Sequence, residues 1–346
     1  MNLGNSLFNP FALAKCKKLI PYFKHWLHYR ISKKFPLIPP PPPPNLFQQK
    51  KICDIKINEL IYHRIKEGLR NKTPLMMGRY GSTECQAMRS VLLYRNGIQD
   101  YISHSYDELC IYSGFFQNHN QHPTKKQKER YLIDFFNIMI EATQNCDVLG
   151  TWNGSIGFEE FFVKEYAKPE IILTNIGFFG PNIHEDLPYT YALKDQKVLV
   201  IHPFASTIYS QYKRYDKLFV NNKVLPNFHL QVFQAVQTLH QERDDRFSDW
   251  FEALDWMSLE ISKLNFDIAL LGCGAYGFPL ASRIKNMGKI AIHCGGILQL
   301  LFGIKGKRWE IEQSCVGNEL FNPYWVYPNN KETIKDSSKI EGGCYW

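Results

Sequence analysis

The sequence predicts an α/β fold: a Rossmann-like, mostly parallel sheet with helices on both faces. Three observations carry that expectation. Short apolar runs recur at residues 74–78, 146–150, 170–174, 197–201, 266–271 and 289–292, several of them continuous rather than alternating, as strands are when a parallel sheet is covered on both sides. Segments of helical period alternate with them, the order expected of doubly wound folds. A glycine-rich turn follows one of the apolar runs directly.

Composition narrows the class. The chain has 346 residues, 45% hydrophobic and 21% charged, which is globular rather than disordered. Lys and Arg number 41 against 33 Asp and Glu, a net +8. Residues 1–35 contain seven cations and no acid, so residues 36–346 sum to +1. A nucleic-acid-binding core would spread its cations over a folded face, so nucleic acid is not an expected partner. Cys16, Cys53, Cys85, Cys110, Cys146, Cys273, Cys294, Cys315 and Cys344 are odd in number and never form C-x-x-C. That excludes a secreted disulfide framework or a zinc ribbon and points to reduced thiols in the cytoplasm. No run reaches the roughly eighteen apolar residues of a membrane span, and the N-terminus lacks a signal-peptide pattern.

The elements follow in order. In residues 1–35, Leu19, Ile20, Phe23, Trp26, Leu27 and Ile31 recur at helical spacing among lysines. This is a basic amphipathic helix whose firm part starts at Pro21 as a first-turn proline. It suits an anionic membrane surface; a helix packed on the protein's own core, or an unstructured basic tail, is the alternative. Residues 36–50 form a linker holding six consecutive prolines at 39–44, a stiff polyproline spacer. Residues 51–346 form the Rossmann-like domain, with helical period at 55–69 and 84–94. One long helix face is marked by Phe247, Trp250, Phe251, Leu254, Met257, Ile261 and Leu264.

Ligands of such sheets sit beyond the carboxyl ends of the strands, which directs attention to five loops. Gly272-Cys273-Gly274-Ala275-Tyr276-Gly277 is a G-x-G-x-x-G turn suited to a diphosphate. A dinucleotide site would also need an acid after the next strand, where His293-Cys294-Gly295-Gly296 stands instead. Close helix-to-strand packing is the structural alternative for these glycines. Gly78-Arg79-Tyr80-Gly81-Ser82-Thr83-Glu84 offers a cation for phosphate and, in Glu84, a general base or metal ligand. The alternative there is that Ser82 caps the helix and Glu84 only favours its dipole. His202, followed by Arg214, is a candidate for diphosphate contact, and Trp152 for stacking on a base or sugar. The loop 303–309, with Lys305, Lys307 and Arg308, could meet phosphate or a lipid headgroup.

With these residues in place, the chain resembles the GT-D type bacterial glycosyltransferases of surface-polysaccharide gene clusters. The resemblance rests on residues 77–84, 198–204, 271–280, 291–296, 299–309 and 341–346, and covers roughly residues 55–346. It implies a Rossmann-like fold moving a sugar from a nucleotide donor, UDP-sugar foremost. The acceptor is lipid-linked or a surface glycan, as in lipopolysaccharide, capsule or glycoprotein synthesis, and the enzyme works in the cytoplasm, peripheral on the inner face of the cell membrane. It also implies Mn2+ or Mg2+ at an Asp-x-Glu motif, where Glu84 matches the Glu and Arg79 the preceding Arg. Ser82 stands at the Asp position, a poorer ligand for a hard cation. The expected site is therefore Glu84 and Arg79 for catalysis, with Glu84 the metal ligand. Donor binding falls to Gly78, Gly81, Ser82, Trp152, His202, Arg214, Gly272, Gly274, Ala275, Tyr276, Gly277 and His293. The competing readings are an NAD(P)-dependent Rossmann oxidoreductase and a non-catalytic scaffold of a polysaccharide-assembly complex.

Overall fold

Neighbouring residues of each strand feed two different cores, which is why the strands are apolar at nearly every position. The computed structural model describes residues 19–34, 56–97, 102–117, 123–152, 156, 158–239, 243–311, 317–334 and 343–346. Its strands are β1 (Leu75–Arg79), β2 (Val148–Thr151), β3 (Ile172–Asn175), β4 (Lys197–His202), β5 (His229–Gln234), β6 (Ile268–Leu271) and β7 (Ile290–His293). They form one sheet in the order β3-β2-β1-β7-β6-β4-β5, and every pair is parallel. Met76, Leu149, Leu199, Ile201, Ala269 and Ala291 enter one core. Met77, Val148, Val198, Val200, Leu270 and Ile292 enter the other. The architecture is α/β and consistent with a Rossmann-like fold.

The first core lies under α3 (Ser82–Arg95), α4 (Ile102–Ser113), α5 (Lys125–Asn145), α6 (Glu159–Tyr166), α8 (Trp250–Ser262) and α9 (Gly277–Asn286). Trp250 is its aromatic centre, in contact with Phe115, Phe135 and Tyr276. The second lies under α2 (Ile57–Asn71), α7 (Ala205–Tyr212) and α10 (Leu298–Leu301), with Trp309 of α11 (Lys307–Ile311) and Leu320 of α12 (Gly317–Leu320) at its margin. Helix starts obey local chemistry: Thr124 and Gln127 form a reciprocal capping box ahead of α5, and Asp249 caps α8. The edge strand β5 alternates in exposure, so it lacks the apolar run by which the sequence marks the interior strands.

Helix α1 (Ile20–Lys34) carries Pro21 in its first turn, as expected. Two of its aromatic residues, Tyr22 and Trp26, rest on the protein itself. Tyr22 packs on Phe158 and Phe161, and the Arg89 guanidinium lies 4.5 Å from the Trp26 ring. Residues 1–18 and the proline linker 36–50 lie outside the described residues. Among those described, no helix is long and apolar enough to cross a membrane. The described cysteines are all free; burial pushes the thiols of Cys146, Cys273 and Cys294 up to about 12, which leaves them unreactive.

The amino edge of the sheet is tied by a buried carboxylate. Asp147 accepts the Met76 N–H at 2.7 Å and the Lys285 ammonium at 2.8 Å, and also pairs with Lys168. Burial acts to raise its pKa, but the hydrogen bonds from Lys168 and Lys285 outweigh this and hold the carboxyl below its ordinary 3.8. Replacing Asp147 by Asn leaves two ammonium groups without their counter-charge and should cost about 3 kcal/mol in urea unfolding. Because the folded pKa is depressed, this stabilisation is complete above the ordinary aspartate range and fades as pH falls through the lowered value. Wild type and variant should therefore converge in acid; equal stability at neutral pH would refute the clamp.

Candidate functional site

The strands send their chains to alternate faces of the sheet, and a cleft opens where they part. After β1 and β6 the chain enters the first core, through α3 and α9. After β4 and β7 it enters the second, through α7 and α10. The carboxyl ends of β1, β7, β6 and β4 stand side by side, so the diverging loops leave a slot above them. The slot is a cleft of about 790 Å3, within the roughly 300–1,000 Å3 of small-molecule sites.

Arg79, the last residue of β1, is the cation on its floor. Its guanidinium carbon lies 5.1 Å from the Trp152 ring. On the other side it approaches the backbone of Gly295, where a Cβ would stand 2.9 Å from Nε. Gly295 has φ +70°, so both conformation and space require glycine there. Trp152 is itself fixed: its amide donates to both carboxylate oxygens of the fully buried Glu159, and its indole N–H donates to the Tyr80 carbonyl at 2.9 Å. The Arg79 Nε hydrogen is buried and meets no acceptor among the described residues. Burial lowers the Arg79 pKa, opposed by Tyr345 and Glu84, yet an arginine stays charged. The result is a half-buried cation on the cleft floor, which favours an anionic ligand.

Glu84 is buried at 8% exposure in the first turn of α3. Its carboxylate folds back over Gly81, occupying the space a side chain there would fill. The N-cap of α3 is Gly81, with no side-chain cap hydrogen bond, so Ser82 does not cap the helix; the Glu84 carboxylate and Ser82 both line the cleft. It is the one carboxylate among the described lining residues, and no cluster of three or more His, Cys, Asp or Glu stands where it could hold a metal among those residues. A lone carboxylate beside a guanidinium does not suit a hard dication, so the donor set does not fit the expected metal site.

His202 and His293 both line the cleft but bring no charge. Burial drops each imidazole to about 3, with the Arg79 charge adding to the shift of His293. The Nδ1 of His202 accepts the Phe204 N–H at 2.9 Å, so its proton sits on Nε2 as a neutral donor. Any contact of His202 with a diphosphate would therefore be that of a neutral donor. The α7 N-terminus after β4 is also closed to an anion. The Glu332 carboxylate accepts the Ser206 N–H at 2.7 Å and the Thr207 N–H at 3.2 Å.

The glycine-rich turn divides between lining and packing. Gly272 and Gly274 line the cleft. Gly274 has φ +55° and abuts the Ser113 carbonyl, a place no other residue fits. The N–H groups of Cys273, Gly274 and Ala275 donate to no protein group among the described residues, whereas those of Gly272 and Gly277 donate to Ile201 and Gly274. Ala275 and Tyr276 are buried, Tyr276 stacked on Trp250. Gly277 backs onto the His293 ring and Gly78 onto Phe278. For Gly78, Ala275, Tyr276 and Gly277 the packing role holds, and none lines the cleft. Arg214 is exposed beyond the far end of α7, about 12 Å along the axis from the helix start, and also falls outside the lining.

The opposite wall comes from two segments that the expected site omits. Lys307, Arg308 and Trp309 line it together with Cys344, Tyr345 and Trp346. The Arg308 amide donates to the Cys344 carbonyl at 3.2 Å, its guanidinium lies 5.0 Å from the Tyr345 ring, and the Trp346 indole donates to the Glu332 carbonyl. The Tyr345 ring fills the space beside Gly296. The loop 303–309 had a sequence signal in its cations; the aromatic pair had none that tied it to residue 79.

Because both imidazoles are depressed, neither should titrate between about pH 5 and 8, as the C2 proton shifts in NMR would report. The unfolded chain protonates these histidines near 6.5 while the fold refuses the proton, so stability is full above about 6.5 and declines as pH falls towards 3. His202→Gln should flatten that decline; an unchanged pH dependence would contradict it. Comparison with protein-family models, curated proteins and solved structures finds no match, so the cleft itself carries the functional reading.

Proposed function

We propose that the protein is a glycosyltransferase that moves a sugar from a nucleotide-sugar donor, a UDP-sugar foremost, to a lipid-linked or surface-glycan acceptor. The observation that carries the reading is that the half-buried Arg79 guanidinium and the glycine turn after β6 line one cleft at the carboxyl edge of the sheet. A diphosphate placed there would meet a cation and the amide of Gly274, which has no partner among the described residues.

In this reading Arg79 binds the diphosphate and steadies the charge that grows as the glycosidic bond breaks. Neutral His202 offers its Nε2 hydrogen as a further donor. The acceptor hydroxyl oxygen attacks the anomeric carbon, its proton passes to Glu84, and the nucleoside diphosphate leaves with the bonding electron pair. No step is routed through a metal. Trp152 and Tyr345 supply aromatic faces for base or sugar. An anionic membrane met through residues 1–35 would bring the enzyme to its acceptor at the inner face of the cell membrane.

Purified protein titrated with a panel of nucleotide sugars should bind at least one, and binding should fall roughly tenfold or more in Arg79→Ala, the loss of a charge-assisted contact. Arg79→Lys should not restore it, since a point charge cannot replace the planar fork. Glu84→Gln should keep donor binding while turnover drops about 10²–10⁴-fold. Binding of NAD or NADP without any nucleotide sugar would favour the oxidoreductase. Undiminished glycan synthesis in cells carrying Glu84→Gln would favour the scaffold.

A further inference from the structure

Away from the cleft floor, cations and exposed apolar groups gather on one surface. Residues 209–224 and 303–310 contain seven cations, Lys213, Arg214, Lys217, Lys223, Lys305, Lys307 and Arg308, against Asp216 and Glu310, a net +5. Residues 36–346 sum to +1, so the rest of that span is at 1 − 5 = −4. The concentration is local, not a general basicity.

Three lysines of this surface pair with tyrosine rings rather than with carboxylates. Lys128, Lys164, Lys168, Lys263 and Lys285 each pair with a carboxylate. Lys213, Lys217 and Lys305 have no carboxylate partner among the described residues. Their ammonium groups lie instead over Tyr209, Tyr324 and Tyr327, at 4.9, 5.4 and 5.8 Å from the ring centres. Those three tyrosines are 50%, 41% and 50% exposed, and Val220 beside them is fully exposed at 108%. Asn322 ties the two strips together by donating to the carbonyls of Lys217 and Leu218, and Gln211 bridges Gly303 to Tyr324. Tyr327 donates to Glu310 of α11, the helix whose Lys307 and Arg308 line the cleft.

We infer that this surface docks on an anionic lipid bilayer, with Val220 and the tyrosine rings in the headgroup boundary and the unpaired lysines against lipid phosphates. Phenol rings and a bare aliphatic side chain interleaved with ammonium groups suit a water–hydrocarbon interface, and the local +5 matches the negative surface potential of such a membrane. A polynucleotide would use the cations but gain nothing from Val220. The surface adjoins the mouth of the cleft, so docking would present that mouth to a lipid-borne molecule. The inference stands apart from sugar transfer and is read with no nucleotide present.

The test is sedimentation of the full chain with vesicles of phosphatidylglycerol and phosphatidylcholine in equal parts, and with phosphatidylcholine alone. Wild type should bind the anionic vesicles only. Lys213→Ala with Lys217→Ala should weaken partitioning roughly twenty- to thirtyfold, about fivefold for each lysine. Val220→Asp should weaken it with the two lysines intact, which a purely electrostatic contact would not require. All these side chains are exposed, so the thermal unfolding midpoint should not move. Loss confined to a variant with Lys15, Lys17 and Lys18 changed to Glu would overturn the inference in favour of the N-terminal segment. So would absence of binding, or binding to a single-stranded oligonucleotide with none to vesicles.

Discussion

One guanidinium sets the terms for the carboxyl edge of the sheet. Arg79 is held between an indole and a glycine backbone with a buried Nε hydrogen that the described residues leave unmet. Its neighbours are constrained in turn. Gly295 must turn through positive φ to let it lie flat, Trp152 is anchored through Glu159 and Tyr80, and His293 is kept neutral in part by its charge. A half-buried cation is costly unless something compensates it. A ligand phosphate is the natural complement.

The two ends of the sheet handle buried charge in opposite ways. At the amino edge Asp147 meets two ammonium groups and an amide, so its charge is satisfied from within. At the carboxyl edge the α7 N-terminus is likewise satisfied internally, by Glu332, while the Nε of Arg79 and the amide of Gly274 have no partner among the described residues. That asymmetry marks the part of the edge where an external anion belongs. It also assigns the histidines a modest role, since at about 3 they are donors or acceptors and not cations.

The cleft and the lysine–tyrosine surface share α11, whose residues face one and border the other. A nucleotide-sugar site opening beside a membrane-facing surface would join a soluble donor to a lipid-bound acceptor without moving either far. Confinement to a plane raises the acceptor's effective concentration. The packing of Tyr22 and Trp26 on the protein itself shifts attention from the described part of the N-terminal segment towards this second surface.

Sequence alone determined the α/β class, because strands covered on both faces must be apolar at successive positions, and it located Arg79, Glu84, Trp152, His202 and the turn at Gly272 through their places after such strands. The edge strand β5 escaped because its exposure alternates, and the packing glycines at 78 and 277 were indistinguishable from lining ones because a missing Cβ looks the same in either role. Only the tertiary structure decided that Tyr345 and Trp346 wall the same cleft as residue 79, that Arg214 stands outside it, and that both histidines are neutral. Burial and long-range proximity depend on which face each loop takes as it leaves the sheet, and spacing along a chain does not encode that choice.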